Sequence, residues 1–156
     1  MSDKTCDHTS VGMIVRDDDK LLLIERKKFP FGFAAPAGHV DGDSSYEVAA
    51  KRELREEVGL ETISLELVLD KDKSNPCRRK GGTWHHWNVY NVDTKGEIER
   101  SAAETKQADW FTMSAVRKLA DRTQAYLQGS VSEESWQSQP GLEPVWYEHF
   151  KDLKIL

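Results

Sequence analysis

The sequence predicts an α/β protein, a mixed β-sheet between helical layers with a further helical segment at the C-terminal end. Three observations support this. Runs of strand-type periodicity at residues 11–16, 21–26, 62–69 and 86–92 are interleaved with helical patterns in irregular order, which favours a mixed sheet. Residues 38–60 carry both a start and a stop signal for a helix. The last third of the chain repeats apolar residues at helical spacing.

Taken in order, residues 11–16 and 21–26 read as two strands joined by the polar turn Asp17-Asp18-Asp19-Lys20, a hairpin. A basic and aromatic loop follows at 27–32, and Pro36-Ala37-Gly38 leads into the helical stretch. There Ser44 and Glu47 have capping-box spacing, so Ser44 is the expected N-cap. Gly59 sits where a left-handed C-terminal cap belongs. In residues 62–69, Ile63, Leu65, Leu67 and Leu69 alternate on one face, the pattern of a half-buried strand. Residues 71–82 form a basic loop, and 86–92 another strand ending at a Thr94-Lys95-Gly96 turn. A polar loop at 101–107 precedes a strand at 109–111. Val116, Leu119, Ala120, Thr123 and Leu127 then mark a helix with Ser114 as its cap. A second helix is expected at 131–137, starting near Ser130, and Pro144 can open a final one bearing Trp146, Phe150 and Leu153.

The 156 residues suit one domain with its own core, of which about 129–156 form the C-terminal helical extension. The formal net charge of −5 argues against a broad duplex-binding surface, although a local basic patch can hold phosphates. No apolar run approaches the roughly 20 residues of a membrane span, and the first ten residues lack the features of a secretory signal. Two cysteines are too few for a disulfide framework, so free thiols and a cytoplasmic location are expected. Cys6 and His8, with Cys77 and His85 or His86, supply zinc-type ligands, but their spacing matches no common finger pattern.

The chemistry concentrates in residues 38–60. At about 100° per residue, Glu53, Glu56 and Glu57 share an arc of about 100° on one helix face. Like charges three and four apart cost an isolated helix roughly 0.2–0.5 kcal/mol per pair. A divalent cation would remove that cost, and clustered oxygen ligands suit Mg²⁺ or Mn²⁺. A merely solvated acidic face is the plainer alternative.

The flanking pattern favours the cation. Gly38, Arg52, Glu53, Leu54, Glu56, Glu57, Gly59 and Leu60 resemble the Nudix box, a glycine followed at fixed spacing by Arg-Glu-U-x-Glu-Glu-x-Gly-U, where U is apolar. One position departs: Ser44 stands where the box has its first glutamate. Asp41, Asp43 and Glu47 are the carboxylates near enough to compensate. The resemblance extends over residues 9–128 and implies a Nudix-type α/β/α sandwich, with the box as a loop–helix–loop beside the sheet. It implies a Mg²⁺- or Mn²⁺-dependent hydrolase that cleaves a pyrophosphate linkage in a nucleoside diphosphate derivative, whether ADP-ribose-like or a nucleoside triphosphate. The alternative is a Nudix-like module that senses a nucleotide without turning it over.

By the same resemblance, Gly38, Glu53, Glu56 and Glu57 are the expected metal ligands, Glu53 doubling as ligand or base. Arg52 is expected to orient a glutamate. Glu104, in the loop after the box, is the candidate extra acidic residue, with Glu97 and Glu99 as rivals. Arg26, Arg78 and Arg79 are candidates for substrate phosphates, and Trp84 for stacking on a nucleobase, with Trp87 as the neighbouring aromatic. Pro36-Ala37-Gly38 and Pro76 resemble features of ADP-ribose-cleaving members. The expected partner is a small-molecule nucleotide substrate, with no membrane, no duplex nucleic acid, and a homodimer as a possible assembly.

Overall fold

The computed structural model describes residues 4–156. Strands β1 (Thr9–Asp17) and β2 (Lys20–Arg26) form the expected hairpin, with Asp18 in the left-handed region at the turn. The two strands are paired only next to that turn, at Arg16↔Leu21 and Asp17↔Lys20. Beyond it they splay, and the chain before the helix fills the opening. There β3 (Phe33–Ala34) pairs with β2, and β4 (Ala37–Gly38) pairs with Val11 and Gly12 of β1. The hairpin thus delivers Gly38 to the middle of the sheet.

The rest of the sheet is mixed. β6 (His85–Lys95) runs parallel to β1, β5 (Glu61–Lys73) lies antiparallel on β6, and β7 (Thr105–Phe111) closes the far side of β2. The path is β3-β2-β1-β6-β5, with β4 beside β1 and β7 beside β2. The centre reads as continuous apolar chain, with Val11, Met13, Leu23 and Val89 wholly buried, as strands covered on both faces must be. Helix α1 (Tyr46–Val58) packs against β1, β4 and β5. Helices α2 (Met113–Leu127), α3 (Glu133–Ser138) and α4 (Pro144–Asp152) complete the α/β/α arrangement.

Four expectations need correction. The alternation in β5 does not bury one face: Ile63 is 63% and Leu67 48% exposed. Two register shifts, at Thr62/Ser64 and Leu67/Leu69, each insert a residue, and one extra residue moves every later side chain to the other face. Helix α2 is capped by Thr112, whose side chain accepts from the Ala115 N–H, not by Ser114. Leu127, at its last turn, is 56% exposed. Helix α3 starts at Glu133 behind Ser132, later than Ser130.

The C-terminal segment is part of the core. The Phe33 N–H donates to the Gly141 carbonyl at 2.8 Å, and the Glu143 N–H to the Phe33 carbonyl at 2.8 Å. Leu142, Trp146 and Phe150 are wholly buried. Trp146 lies directly over Gly12, where an added Cβ would stand 2.4 Å from the indole. Beside it His149 is wholly buried between Trp87 and Trp146, with ring centroids 4.6 and 4.9 Å away. Neither of its ring nitrogens has a partner among the described residues.

Burial drives the His149 imidazole down to about 3, and the Lys73 charge adds to that. Between that value and the ordinary imidazole range near about 6.5, the unfolded chain binds a proton that the folded chain does not. Stability therefore rises with pH through this window and is lost on acidification, by at most about 1.4 kcal/mol per pH unit. His149→Leu is expected to flatten that loss between about pH 6 and about pH 4, while leaving stability at pH 7 equal or higher, because two unpaired buried nitrogens disappear. Thermal melts across a pH series check this.

Candidate active site

Helix α1 begins one residue later than its sequence suggests. The loop before it turns through Asp41 and Gly42, both at positive φ, and Ser45 takes the extended cap conformation. The Ser45 hydroxyl accepts from the Val48 N–H at 3.1 Å. Glu47 is then one position short of the capping-box partner, so the Ser44–Glu47 box does not form. The other end is as expected, with Gly59 left-handed at φ 72° and its N–H donated to the Arg55 carbonyl.

This helix carries Glu53 and Glu57 inward, both nearly buried, and leaves Glu56 exposed. Glu53 lies flat against the backbone of Gly38. A Cβ there would stand 2.1 Å from the Glu53 carboxyl carbon, so only glycine admits the carboxylate. Glu57 accepts the Ala37 N–H at 3.2 Å, which ties the helix to β4.

Arg52 joins loop and helix. Its Nη1 donates to Glu53 Oε1 at 2.8 Å and to Glu56 Oε2 at 3.2 Å. Its Nη2 donates to the His39 carbonyl at 2.9 Å, and its Nε to Asp43 Oδ2 at 2.8 Å. Asp43 therefore gives Arg52 a carboxylate from the residue next to Ser44.

Gly38, Glu53 and Glu57 form one wall of a cleft of about 330 Å³, at the lower end of the roughly 300–1,000 Å³ typical of small-molecule sites. Arg26, Arg78, Arg79 and Glu104 line it too. Arg26 donates from Nε to the Pro30 carbonyl at 2.6 Å and faces Glu143 at 3.7 Å. Arg79 grips Asp41 with both terminal nitrogens, whereas Arg78 is half-buried on the lining. Glu104 is exposed at the rim; Glu97 and Glu99, also exposed, do not line the cleft. Trp84, 42% exposed, stacks on His8 at 4.1 Å and lies outside the lining. Trp87 is a core residue whose Nε1 donates to Asn75 Oδ1 at 3.0 Å, and its edge reaches the cleft. Sequence reasoning missed Glu143, a buried carboxylate on the cleft wall contributed by the C-terminal segment. Periodicity gave no sign of it, since the contact spans most of the chain.

The electrostatics of this wall are unbalanced. Burial pushes the Glu53 carboxyl up to about 7 against the pull of Arg52, and the charges of Glu104 and Glu56 push the same way. Burial also holds Glu57 well above the usual carboxylate range, with the Glu53 charge adding and Arg26 opposing. Two adjacent carboxylates with this little positive charge favour a cation or a proton. The donor set, oxygen throughout, fits a hard divalent ion.

A mixed sheet that holds a loop–helix–loop of glutamates and an arginine over a basic-rimmed cleft defines the class. The chain belongs to the Nudix family: the sequence model of the NUDIX domain matches residues 7–128. It is 35% identical over 114 residues to the ADP-ribose pyrophosphatase of Methanocaldococcus jannaschii, covering 71% of this chain and 65% of that one. It is 31% identical over 107 residues to the NAD-capped RNA hydrolase NudC of Pseudomonas aeruginosa, covering 69% of this chain and 36% of that one. The match thus spans less than two thirds of either relative's length. The MutT protein of Methanosarcina mazei Go1 superposes with a TM-score of 0.67 over 99% of this chain and 96% of that one, at 14% identity, a likeness of fold. Members of the Nudix family generally use divalent metals.

The cap assignment has a direct check in denaturant melts. Ser45→Ala is expected to cost about 1 kcal/mol. Ser44→Ala, at an exposed position outside the cap, is expected to stay within about 0.5 kcal/mol of the parent protein.

Proposed function

We propose that this protein is a Mg²⁺-dependent (or Mn²⁺-dependent) pyrophosphohydrolase acting on a nucleoside diphosphate derivative of the ADP-ribose type. One observation carries the reading: Glu53 and Glu57 share a single cleft with Arg26, Arg78 and Arg79, so that carboxylates for a cation face guanidinium groups for phosphates. Glu53, Glu56 and Glu57, with Gly38, would hold the ion, which when bound screens phosphate oxygens and makes water a stronger nucleophile. The names of the two curated relatives support the substrate class. ADP-ribose and an NAD cap both contain a pyrophosphate between two ribosyl groups.

In the reaction a water oxygen attacks one phosphorus and the bridging P–O bond breaks. Two phosphate monoesters leave, and one water proton must be taken up. Glu53, on the cleft wall, and Glu104, at the rim, are the groups placed to accept it; such transfer typically contributes about 10²–10⁴-fold. Arg52 is a positioning residue. Its guanidinium fixes Glu53 and Glu56 relative to the loop. Arg26 and Arg78 would neutralise the pyrophosphate, although Arg79 must loosen from Asp41 to join them. Asp43 answers the Ser44 departure, because the carboxylate that Arg52 needs comes from the adjacent residue. That favours turnover over the sensing alternative. No helix among the described residues is long and apolar enough to cross a membrane.

The test is release of AMP from ADP-ribose with Mg²⁺, run beside NAD and the nucleoside triphosphates. Turnover of ADP-ribose is expected, with kcat lowered about 10²-fold or more in Glu57→Gln. Binding of ADP-ribose without turnover of any substrate would overturn the hydrolase and leave the sensor.

A further inference from the structure

Four metal-binding side chains from four separate segments converge at the cleft, three of them, His39, Cys77 and His85, on its lining. Cys6 precedes β1, His39 follows β4, Cys77 lies in the loop after β5, and His85 opens β6. Their ligand atoms all lie within 4.8 Å of one another. Cys6 Sγ is 3.7 Å from His39 Nε2 and 3.4 Å from His85 Nε2. Tetrahedral zinc, with bonds of about 2.3 Å to sulfur and about 2.0–2.1 Å to nitrogen, sets its ligand atoms about 3.3–3.8 Å apart.

The surroundings are built for sulfur. Each cysteine sulfur accepts a backbone N–H from the residue two further on, His8 to Cys6 at 3.3 Å and Arg79 to Cys77 at 3.3 Å. The Cys77 loop is folded tightly round its own side chain. The Cys77 N–H donates to the Gly82 carbonyl at 2.8 Å, Gly81 has φ 77°, and a Cβ on Gly82 would fall 2.1 Å from Cys77 Sγ. The Cys6 N–H donates to the Lys80 carbonyl at 2.8 Å, which fastens the N-terminal segment to the same loop.

Simpler explanations leave residues over. A thiol–imidazole hydrogen bond accounts for Cys6 with one ring, and gives no reason for Cys77 and a second ring to meet there. A disulfide would bring two sulfurs to about 2.05 Å and use neither ring. The other two histidines of these segments, His8 and His86, are engaged elsewhere. His8 stacks on Trp84, with Nδ1 at 3.0 Å from the Trp84 carbonyl, and His86 sits between Asp70 and Asp72.

We propose that Cys6, His39, Cys77 and His85 form a closed, four-ligand zinc site, with a ligand set of its own, on the same cleft as the glutamates of α1. Two thiolates and two imidazoles select zinc over Mg²⁺, just as the oxygen set of the glutamates selects the reverse. With four protein ligands no position is left for water, so the role is structural. The ion ties the N-terminal segment and the Arg78–Arg79 loop to the residue after Gly38, fixing one rim of the cleft. Binding releases the thiol protons to solvent.

The experiment is elemental analysis of the full chain purified under reducing conditions without chelator, followed by Co²⁺ reconstitution of the stripped protein. About one zinc per chain is expected, and Co²⁺ should give visible tetrahedral bands with a near-ultraviolet thiolate charge-transfer band. Cys77→Ser and His39→Ala should each lower zinc content at least tenfold, while Glu57→Gln and His8→Ala keep it. Should the cysteine variant fail to fold, His39→Ala with its Co²⁺ spectrum decides the matter. Absence of zinc together with no charge-transfer band on Co²⁺ addition would overturn the site. So would a Cys6–Cys77 disulfide in the reduced preparation, or zinc lost in Glu57→Gln but retained in Cys77→Ser.

Discussion

Arg52 spreads one guanidinium between the loop before α1 and the carboxylates that α1 carries, and the geometry of the whole wall follows from that planar group. A fork of five donors in a rigid plane can satisfy a backbone carbonyl and several carboxylates at once, which a lysine cannot. Because the group is only partly shielded from water, its value lies less in net stability than in orientation. Glu53 is held against Gly38 from one side by Arg52, and from the other by a backbone that has no room for a side chain. The pairing explains why a carboxylate that burial makes uncomfortable stays where it is.

That arrangement rests on the splayed hairpin. Were β1 and β2 paired along their full length, no opening would exist for β3 and β4, and Gly38 would not reach the centre of the sheet. The parallel pairing of β1 with β6 then brings His85 and Trp87 alongside, so that they join Gly38 on the lining of the cleft. Sheet topology thus sets where the cleft lies.

The parts legible in the sequence were those governed by local rules. The hairpin turn, the Gly59 cap, the row of glutamates and the proline opening α4 all depend on residues within a few positions of one another. What escaped depends on distance or on a single inserted residue. The cap moved from Ser44 to Ser45 because Asp41 and Gly42 turn the chain before it enters the helix. The alternation of β5 was broken because each of its two bulges inserts a residue that the strand's own sequence does not mark. Glu143 meets Arg26 across most of the chain, and Asp43 reaches Arg52 only once the loop is folded. His39 escaped for the same reason. Its neighbours in space, Cys6, Cys77 and His85, come from segments that share no spacing rule.

The contact of Trp146 with Gly12 joins the C-terminal helix to a central strand of the sheet. Residues 129–156 fall outside the part of the chain matched to the family, yet the indole fills the space that a side chain at position 12 would occupy. Position 12 and position 146 therefore cannot vary independently. A descendant that gained any side chain at 12 would have to shrink the residue at 146, and one that lost the aromatic ring would leave a hollow over the central strand. Substitution histories in this lineage should show the two sites changing together, and the C-terminal helix should be inherited with the sheet it covers, not exchanged as a module.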